Sequence, residues 1–447
     1  MPGSNVAAMR ILHTSDWHLG RTLHRVDLSN AHQQFLDHLV SLAREEQVDA
    51  VLVSGDVFDR ALPPLESVSM LNDALGRLCE VAPVVLIPGN HDSPQRLGLN
   101  AGLLGARLHI QATLSGIATP IIIGDRDGHD GLAVYGLPYL DPDMTRDELT
   151  RLCSTGDDAD DTADGGMAQQ RLARSHEAVV GAALGLVSAD LAGRRAESST
   201  RIPAVVMAHA FVTGGQPSDS ERDLRIGGVD SAPASLFAEC GADYVALGHL
   251  HGAQRVGAQR VGAQKVTPAN GTGSTGAGST GAGSATAGED GAVMRYAGSP
   301  LAFSFSEQHH HKSTALINFR ADGRVSGVEL VPTPVPRRLS DVTGSLDEVL
   351  GSRFAGQHDD WTRIVVTGDA QPPDLQKTVR KAFPHALDVR FESTAAKQSI
   401  RTQPGAQVDP MDILAEFAKS AGGRDANPAE LAALRAALEA AIRQQVR

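Results

Sequence analysis

The sequence predicts an α/β protein built around parallel strands, followed by a small second α/β domain and C-terminal helices. Two observations carry the prediction. Short apolar runs bounded by Gly or Pro alternate with stretches of helical periodicity, and a hydrophobic content of 41% comes with only 4% aromatic residues. A core made mainly of Leu, Val, Ile and Ala is what a parallel sheet covered on both faces requires.

Five of the apolar runs end on a residue able to bind a metal ion. Arg10–Ser15 ends at Asp16, Ala50–Gly55 at Asp56, Val84–Gly89 at Asn90, Ala204–Ala208 at His209 and Tyr244–Gly248 at His249. Each has the length of a strand buried on both faces, and in α/β sheets ligands collect at the carboxyl ends of strands. The strand tips are therefore expected to carry a common polar cluster. After the first run, Ser29 to Glu46 places Phe35, Leu36, Leu39, Leu42 and Ala43 at helical spacing, and Val48 opens the second strand, making a βαβ unit. Beyond Pro63-Pro64 a second helical stretch sets Leu65, Val68, Leu71, Leu75 and Leu78 on one face and leads into the strand ending at Asn90. A helix near Arg171 to Val187 precedes the strand ending at His209.

Two stretches interrupt the pattern. Residues 154–169 are rich in Asp, Gly and Ala; from Gly252 the pentapeptide Gly-Ala-Gln-Arg-Val occurs twice, Gly-Ala-Gln-Lys-Val follows, and a Gly/Ser/Thr/Ala tract runs to Ala287. Such segments bury too little surface to order themselves, so 154–169 and 252–290 are expected to be disordered insertions. Three short copies are too few for a solenoid. Regular structure is expected to resume at Met294–Pro300, with strands at Ala315–Phe319 and Val328–Val331 and a linker over Pro332–Pro336. Strands at Thr362–Thr367 and Leu387–Phe391, around a helix from about Pro373 to Ala382, suggest the small α/β domain. A final helix carries the stripe Leu431, Leu434, Leu438, Ala441 and Ile442, after a shorter one bearing Met411, Leu414 and Phe417. The expected division is a main domain over residues 1–335, a small domain over 336–400 and a helical region over 401–447.

Cys79, Cys153 and Cys240 have no CxxC spacing and no secretory leader before them, which reads as buried reduced thiols in a cytosolic protein. The longest apolar runs fall far short of a membrane span, so a soluble, intracellular chain is expected. A net charge of −13 argues against a nucleic-acid partner at first sight. Several of the acids, however, share one segment, Asp157, Asp158, Asp160, Asp161 and Asp164, and metal ions held by carboxylates offset negative charge locally. Overall acidity weakens that partner without excluding it.

The polar motifs are Asp16-Trp-His18, Gly55-Asp56-Val-Phe-Asp59, Gly89-Asn90-His91-Asp92, His209 and Gly248-His249-Leu-His251. Each alone is weak, because Gly-Asp often marks a turn and a single histidine after a strand is more often structural than a ligand. Together they offer mixed oxygen and nitrogen coordination without thiolates, which suits manganese, iron or zinc better than calcium. Two divalent ions roughly 3.5–4 Å apart, sharing one carboxylate, would clamp a phosphate and activate a water for in-line attack. Asp56 is the natural bridge, since it lies between the other ligand sets in sequence and on a strand expected at the centre of the sheet.

In this order the motifs resemble those of the calcineurin-like metallophosphoesterases. The segments Asp16–His24, Gly55–Asp59, Gly89–Pro94 and Tyr296–Glu307 are similar to the SbcD family of bacterial nuclease subunits, strongly over about residues 9–335. The resemblance implies a two-sheet β-sandwich flanked by helices, with metals at the strand tips and a small capping domain behind it. It implies Asp16, His18, Asp56 and His251 as ligands of one ion and Asp56, Asn90, His209 and His249 as ligands of the other, with manganese leading and magnesium as the alternative. It makes His91 a residue that acts on the scissile phosphate or leaving oxygen, a role suited to an imidazole general acid. Asp92 would orient His91 or cap a turn. Where archaeal and eukaryotic relatives carry a second catalytic histidine this chain has Asp59, which would hold His91 or cap the following loop. The insertion directly after His251 is a further departure and is expected to loop outward.

The implied function is a metal-dependent DNA nuclease subunit, an exonuclease on double strands and an endonuclease on single strands and hairpins, acting in DNA repair and recombination. It would be cytoplasmic, nucleoid-associated when on DNA, with no membrane partner. The implied protein partners are an SbcC-like ATPase subunit, bound through the C-terminal helical region, and a second copy paired through the helices around Leu65–Leu78 and Gln95–Leu108, giving a homodimer within a heterotetramer. One alternative is a dimetal phosphatase or cyclic-nucleotide phosphodiesterase, against which stand the Tyr296–Glu307 segment and the additional C-terminal domain. Another is a non-catalytic binding module, which would be expected to lack ligands that this chain retains. Arg21, His24 and Arg25 are candidates for DNA phosphate contacts, with solvated surface as the alternative. His309, His310 and His311 read as an exposed turn between strands, and Lys312 as a contact to phosphate or to nothing.

Overall fold

In strand β1 (Met9–Thr14), alternate side chains serve two different cores. Met9 and Ile11 point into one cluster and Leu12 into another. Strands β4 (Ala50–Ser54) and β5 (Val84–Ile87) repeat the division: Ala50, Leu52, Val85 and Ile87 face one side, while Val51, Val53, Val84 and Leu86 meet the helices α1 (Ser29–Glu45) and α2 (Leu65–Val81). Period-2 alternation with apolar groups in both phases is why these runs are continuous in sequence. Burying each such aliphatic side chain is worth about 1.5–3 kcal/mol.

The structure, a computed structural model, describes residues 9–124, 130–154, 171–198, 201–221, 231–257, 291–394 and 426–445, together with Met411, Ile413, Leu414, Ala415 and Ala418. Two six-stranded sheets stack face to face. In the first, β1, β4, β5 and β6 (Leu108–Ile110) run parallel, and β13 (Ser313–Phe319) and β14 (Val325–Pro332) extend the β1 edge antiparallel. In the second, β8 (Asp130–Leu137), β9 (Ala204–His209), β10 (Tyr244–Gly248) and β12 (Val293–Tyr296) run parallel, flanked by antiparallel β7 (Ile121–Gly124) and β11 (Gln254–Val256). Val205, Met207, Tyr244 and Ala246 meet Ile11, Leu52, Val85 and Ile87 between the sheets. Helix α5 (His176–Glu197), capped by the Ser175 side chain on Ala178 N–H, covers the outer face of the second sheet. This is the two-sheet sandwich flanked by helices.

A three-stranded sheet of β15 (Leu339–Gly344), β16 (Trp361–Gly368) and β17 (Ala386–Ser393) follows, with Leu375 and Val379 of α8 (Leu375–Ala382) packed on Val342, Ile364 and Val366. By compactness the chain forms two units, Met1–Thr367 with Gln371–Glu392, and Gly368–Ala370 with Ser393–Arg447. The first contains both large sheets and the small one. Within the second, the helix Pro428–Gln445 holds Leu431, Leu434 and Leu438 only partly buried.

Several expectations are corrected. Leu65 does not share the buried face of α2: as the first residue of the helix it is 84% exposed, and the buried positions are Ser67, Leu71, Ala74, Leu75 and Leu78. Cys153 is exposed and Cys79 half-buried, so only Cys240 is a buried thiol. The region 252–290 does not begin as a loop, because Gln254–Val256 pairs antiparallel with β12; residues 258–290 lie outside those described. Ser154 closes a helix, Pro142–Ser154, and 155–169 also lie outside the described residues, as do Phe417 and the side chains of Ala441 and Ile442. Among the described residues no helix is long and apolar enough to cross a membrane.

Candidate metal centre

The carboxyl ends of β1, β4 and β5 are neighbours in one sheet and those of β9 and β10 in the other, so the strand tips converge. Main-chain bonds lock the tips together: Asp16 N–H donates to Gly55 O at 3.0 Å and His18 N–H to Asp56 O at 2.9 Å. The sheets meet there through Ser54, whose hydroxyl donates to Ala246 O at 3.0 Å and whose carbonyl accepts from His209 Nδ1 at 2.9 Å. Glycine is obligatory at this meeting. A Cβ on Gly248 would lie 1.8 Å from the Ser54 carbonyl oxygen, and one on Gly89 would lie 2.2 Å from Asp56 Oδ1. Asp16, His18, Asp56 and His249 hold φ values of 55°, 47°, 49° and 109°, a left-handed region that costs such residues about 1 kcal/mol or more each. Strain concentrated on four candidate ligands is a mark of a functional site.

All seven sequence-predicted ligands come together. Atoms of Asp16, His18 and His251 lie within 4.8 Å of one another, as do those of Asp16, Asp56 and His209. Asp56 Oδ2 stands 3.6 Å from His18 Nε2 and 3.4 Å from His209 Nε2, between the two sets. Asn90 Oδ1 is 2.9 Å from His209 Nε2 and 3.3 Å from His249 Nδ1. Asp16 is held by the Ser15 hydroxyl at 2.5 Å and by His249 N–H at 3.1 Å. Burial keeps His18 well below the usual histidine range and takes His249 to about 3, so both rings present lone pairs. Burial also works to lower His209, but the Asp56 carboxylate outweighs it and lifts that ring to about 9, so a cation bound beside Asp56 would take the place of the proton at Nε2, Nδ1 being held by the Ser54 carbonyl. For Asp56 the order is the same: burial opposes ionisation, and His209 and His18 hold the group well below the carboxylate range.

His91 sits beside the cluster. Its Nδ1 lies 2.8 Å from the main-chain carbonyl of Asp59, and its Nε2 is 4.0 Å from Asp56 Oδ2. Asp59 meets His91 through its backbone carbonyl, and its carboxylate lies 3.6 Å from Arg21 and within 4.8 Å of ring nitrogens of His91 and His18. Asp92 is fixed otherwise than by holding a ring. Its two oxygens accept from the N–H groups of Val57 at 3.1 Å, Phe58 at 2.9 Å and Gly89 at 2.9 Å, stapling the loop after β4 to the loop after β5. Of the two roles weighed for Asp92, this is the loop-capping one.

A group absent from the sequence reading lies behind His251. The Ser220 hydroxyl is 2.7 Å from His251 Nδ1 and bonds the Glu307 carboxylate, whose other oxygen pairs with Lys312. Lys312 Nζ also donates to His251 O at 3.0 Å and Ser299 Oγ at 2.8 Å. Lys312 is therefore not an exposed phosphate contact but a buried cation. Burial would raise Glu307, yet the Lys312 ammonium and His251 hold it well below the carboxylate range. The turn carrying Glu307 continues into Gln308, which donates to Asp341 Oδ2 of β15 at 2.8 Å. His309 and His311 are exposed, as expected for a turn.

The three basic candidates separate. Arg21 is committed to the protein: it donates to Ser220 O at 2.9 Å and its guanidinium lies 4.9 Å above the Phe303 ring. His24 and Arg25 are exposed, at the turn of the hairpin Thr22–Leu23/Val26–Asp27, with φ of 46° and 71°. Two positive φ values at a two-residue turn usually belong to Asn-Gly, so this basic pair is held there at a cost.

A family model described as Calcineurin-like phosphoesterase matches residues 9–253, and one described as Type 5 capsule protein repressor C-terminal domain matches residues 335–421. The chain is 30% identical over 378 residues to the SbcD subunit of the nuclease SbcCD from Escherichia coli (strain K12), covering 83% of this chain and 81% of that one. It is 32% identical over 356 residues to the protein of the same name from Bacillus subtilis (strain 168), covering 76% of each. The chain belongs to the SbcD family of calcineurin-like phosphoesterases. Membership implies two divalent metal ions, and the residues fit them. His18 aims Nε2 at the Nε2 of His251 from 3.1 Å, and two lone pairs so aimed repel unless a proton or cation lies between them. Two carboxylates, an amide oxygen and four imidazoles, with no thiol among them, make a mixed oxygen and nitrogen donor set that suits first-row divalent ions.

Proposed function

We propose that the chain is a metal-dependent DNA nuclease subunit that hydrolyses phosphodiester bonds at this centre. It acts as an exonuclease on double strands and an endonuclease on single strands and hairpins, in repair and recombination in the cytoplasm, with an SbcC-like ATPase. The observation that carries the reading is the placement of His91, with one ring nitrogen held by Asp59 and the other turned toward the cluster 4.0 Å from Asp56 Oδ2.

In this reading Asp16, His18, Asp56 and His251 hold one ion and Asp56, Asn90, His209 and His249 the other. Two divalent ions held there, manganese ahead of magnesium on mixed oxygen and nitrogen donors, would supply the positive charge that binds a phosphate and lowers the pKa of an attacking water. His91 carries a proton at Nε2 and delivers it to the leaving oxygen, with no covalent enzyme intermediate. The Asp59 carbonyl keeps the ring facing the phosphate, and Asp92 holds the two loops that carry Asp56 and His91 in register. His24 and Arg25 touch DNA phosphates near the entrance; Arg21 supports the site from within the protein.

The expected division into a nuclease domain over 1–335, a capping domain over 336–400 and a partner-binding region over 401–447 belongs to the same proposal. The leucine stripe of the C-terminal helix, only partly buried, suits an ATPase partner. Leu62, Leu65, Leu99 and Leu103 are 63%, 84%, 69% and 83% exposed, apolar surface that supports pairing of two copies within a heterotetramer. The test is manganese-dependent digestion of end-labelled duplex and hairpin DNA, with and without the ATPase and ATP, alongside a small phosphomonoester. DNA cleavage is the expected result. Monoester hydrolysis without DNA cleavage would overturn the reading in favour of a phosphatase.

A further inference from the structure

The buried group behind His251 has no part in the mechanism above, and its wiring specifies one proton arrangement. An ionised carboxylate only accepts, so the Ser220 hydroxyl must donate to Glu307. The Ser220 oxygen is then an acceptor for His251 Nδ1–H, at 2.7 Å. With Nδ1 carrying the proton, the lone pair of His251 is at Nε2, the atom that faces His18 Nε2 at 3.1 Å. Lys312 closes the circuit. It neutralises Glu307 and holds the carbonyl of the same histidine at 3.0 Å, while Glu221 Oε1 accepts from its N–H at 2.8 Å. The side chains of Glu307 and Lys312 are 0% and 3% exposed, so the charges are bound to this task and screened from water.

We infer that Glu307, fixed by Lys312 and relayed by Ser220, is a positioning residue that sets the tautomer and ring orientation of His251 for metal binding. The inference rests on the reading of His251 as a ligand. Carboxylates behind ligating histidines act in this way, and their loss typically lowers metal affinity about 10–100-fold.

The test uses the full chain and two kinds of variant. Ser220→Ala removes the relay and leaves the ion pair in place, with Glu307 Oε1 still 3.4 Å from His251 Nδ1, whereas Glu307→Leu/Lys312→Met removes both charges and the acceptor together, so that neither charge is left buried alone. Manganese affinity is read by titration calorimetry, ligand geometry by the visible spectrum of the cobalt-loaded protein, and folding by circular dichroism. Both variants should fold, weaken one of the two ion sites about 10–100-fold, leave the other unchanged and alter the cobalt spectrum. Wild-type affinity at both sites with the wild-type spectrum in the double variant overturns the inference; the same result in Ser220→Ala alone overturns the relay through Ser220 and leaves Glu307 to act on Nδ1 directly from 3.4 Å. His251→Ala separates the two levels of the argument. If it still binds two ions as tightly as the wild type, the ligand reading itself falls; if it loses one while the Ser220 and Glu307 variants lose none, only the positioning role falls.

Discussion

The ring of His91 is anchored to Asp59 through the main chain: Nδ1 lies 2.8 Å from the Asp59 carbonyl oxygen, and the Asp59 carboxylate is engaged with Arg21. The hydrogen bond that holds the ring thus comes from a group every residue possesses, while the Asp59 carboxylate stands within 4.8 Å of ring nitrogens of His91 and His18. This separates the expected effects of mutating the two. His91→Ala should keep both metal ions and lose phosphodiester cleavage by about 10²–10⁴-fold, whereas Asp59→Asn should cost less than about tenfold. Steady-state cleavage of a labelled duplex, with metal content measured on the same samples, decides it; a loss in Asp59→Asn as large as in His91→Ala would return the carboxylate to the chemistry.

Asp56 has His18 on one side of Oδ2 at 3.6 Å and His209 on the other at 3.4 Å. Replacing the carboxylate by an amide removes the charge that, in the proposed function, both ion sites share. Asp56→Asn should lose metal at both sites and reduce cleavage by at least about 100-fold. Calorimetry showing two manganese ions bound with wild-type affinity would end its role as a bridge.

The approach of Gly248 to Ser54 leaves no room for a methyl group, since the obstacle at 1.8 Å is a main-chain oxygen in the other sheet. Gly248→Ala should destabilise the fold by about 3 kcal/mol or more, because one sheet must move away from the other. Denaturant unfolding measures this. Stability within about 0.5 kcal/mol of the wild type, the size of an ordinary surface substitution, would mean that the sheets separate easily.

The tract from 258 to 290 connects two strands that are already paired, Val256 opposite Met294. Removing those residues leaves a Gly-Gly-Ala connection, a length common in hairpins. Loop-closure entropy then predicts stability unchanged or raised by at most about 2 kcal/mol, with cleavage within about twofold of the wild type. Thermal unfolding and the same duplex assay check it. Loss of folding would assign the tract a structural part.

The five strand tips were legible because parallel neighbours place their carboxyl ends side by side, so that ligand-type residues at the ends of separate runs have to meet. Asp16, Asp56 and Asn90 share one sheet for that reason, and His209 and His249 share the other. What was not legible depended on which atom a residue uses or on what faces it across the chain. Asp92 points at three backbone N–H groups from two loops, and no spacing encodes that. Arg21 looked like a surface cation until Phe303, far along the chain, was placed beneath it. Glu307 did leave a trace: Leu301, Phe303 and Phe305 are buried at every second position, and Glu307 falls on the same inward phase. A charged residue in a buried phase is the signal of a paired cation, here Lys312. Strands β6, β7 and β8 leave little mark in the sequence because they are short or end on no polar motif.

The turn Phe305–Glu307 and the residue after it grip in opposite directions, Glu307 toward His251 and Gln308 toward Asp341 of the small sheet. Glu307 and Gln308 are consecutive in the chain, so neither contact can shift far without the other. A displacement of β15 would therefore be carried toward His251 through two adjacent residues, and, in the proposed function that makes His251 a ligand, it would be felt at one of the two ion sites.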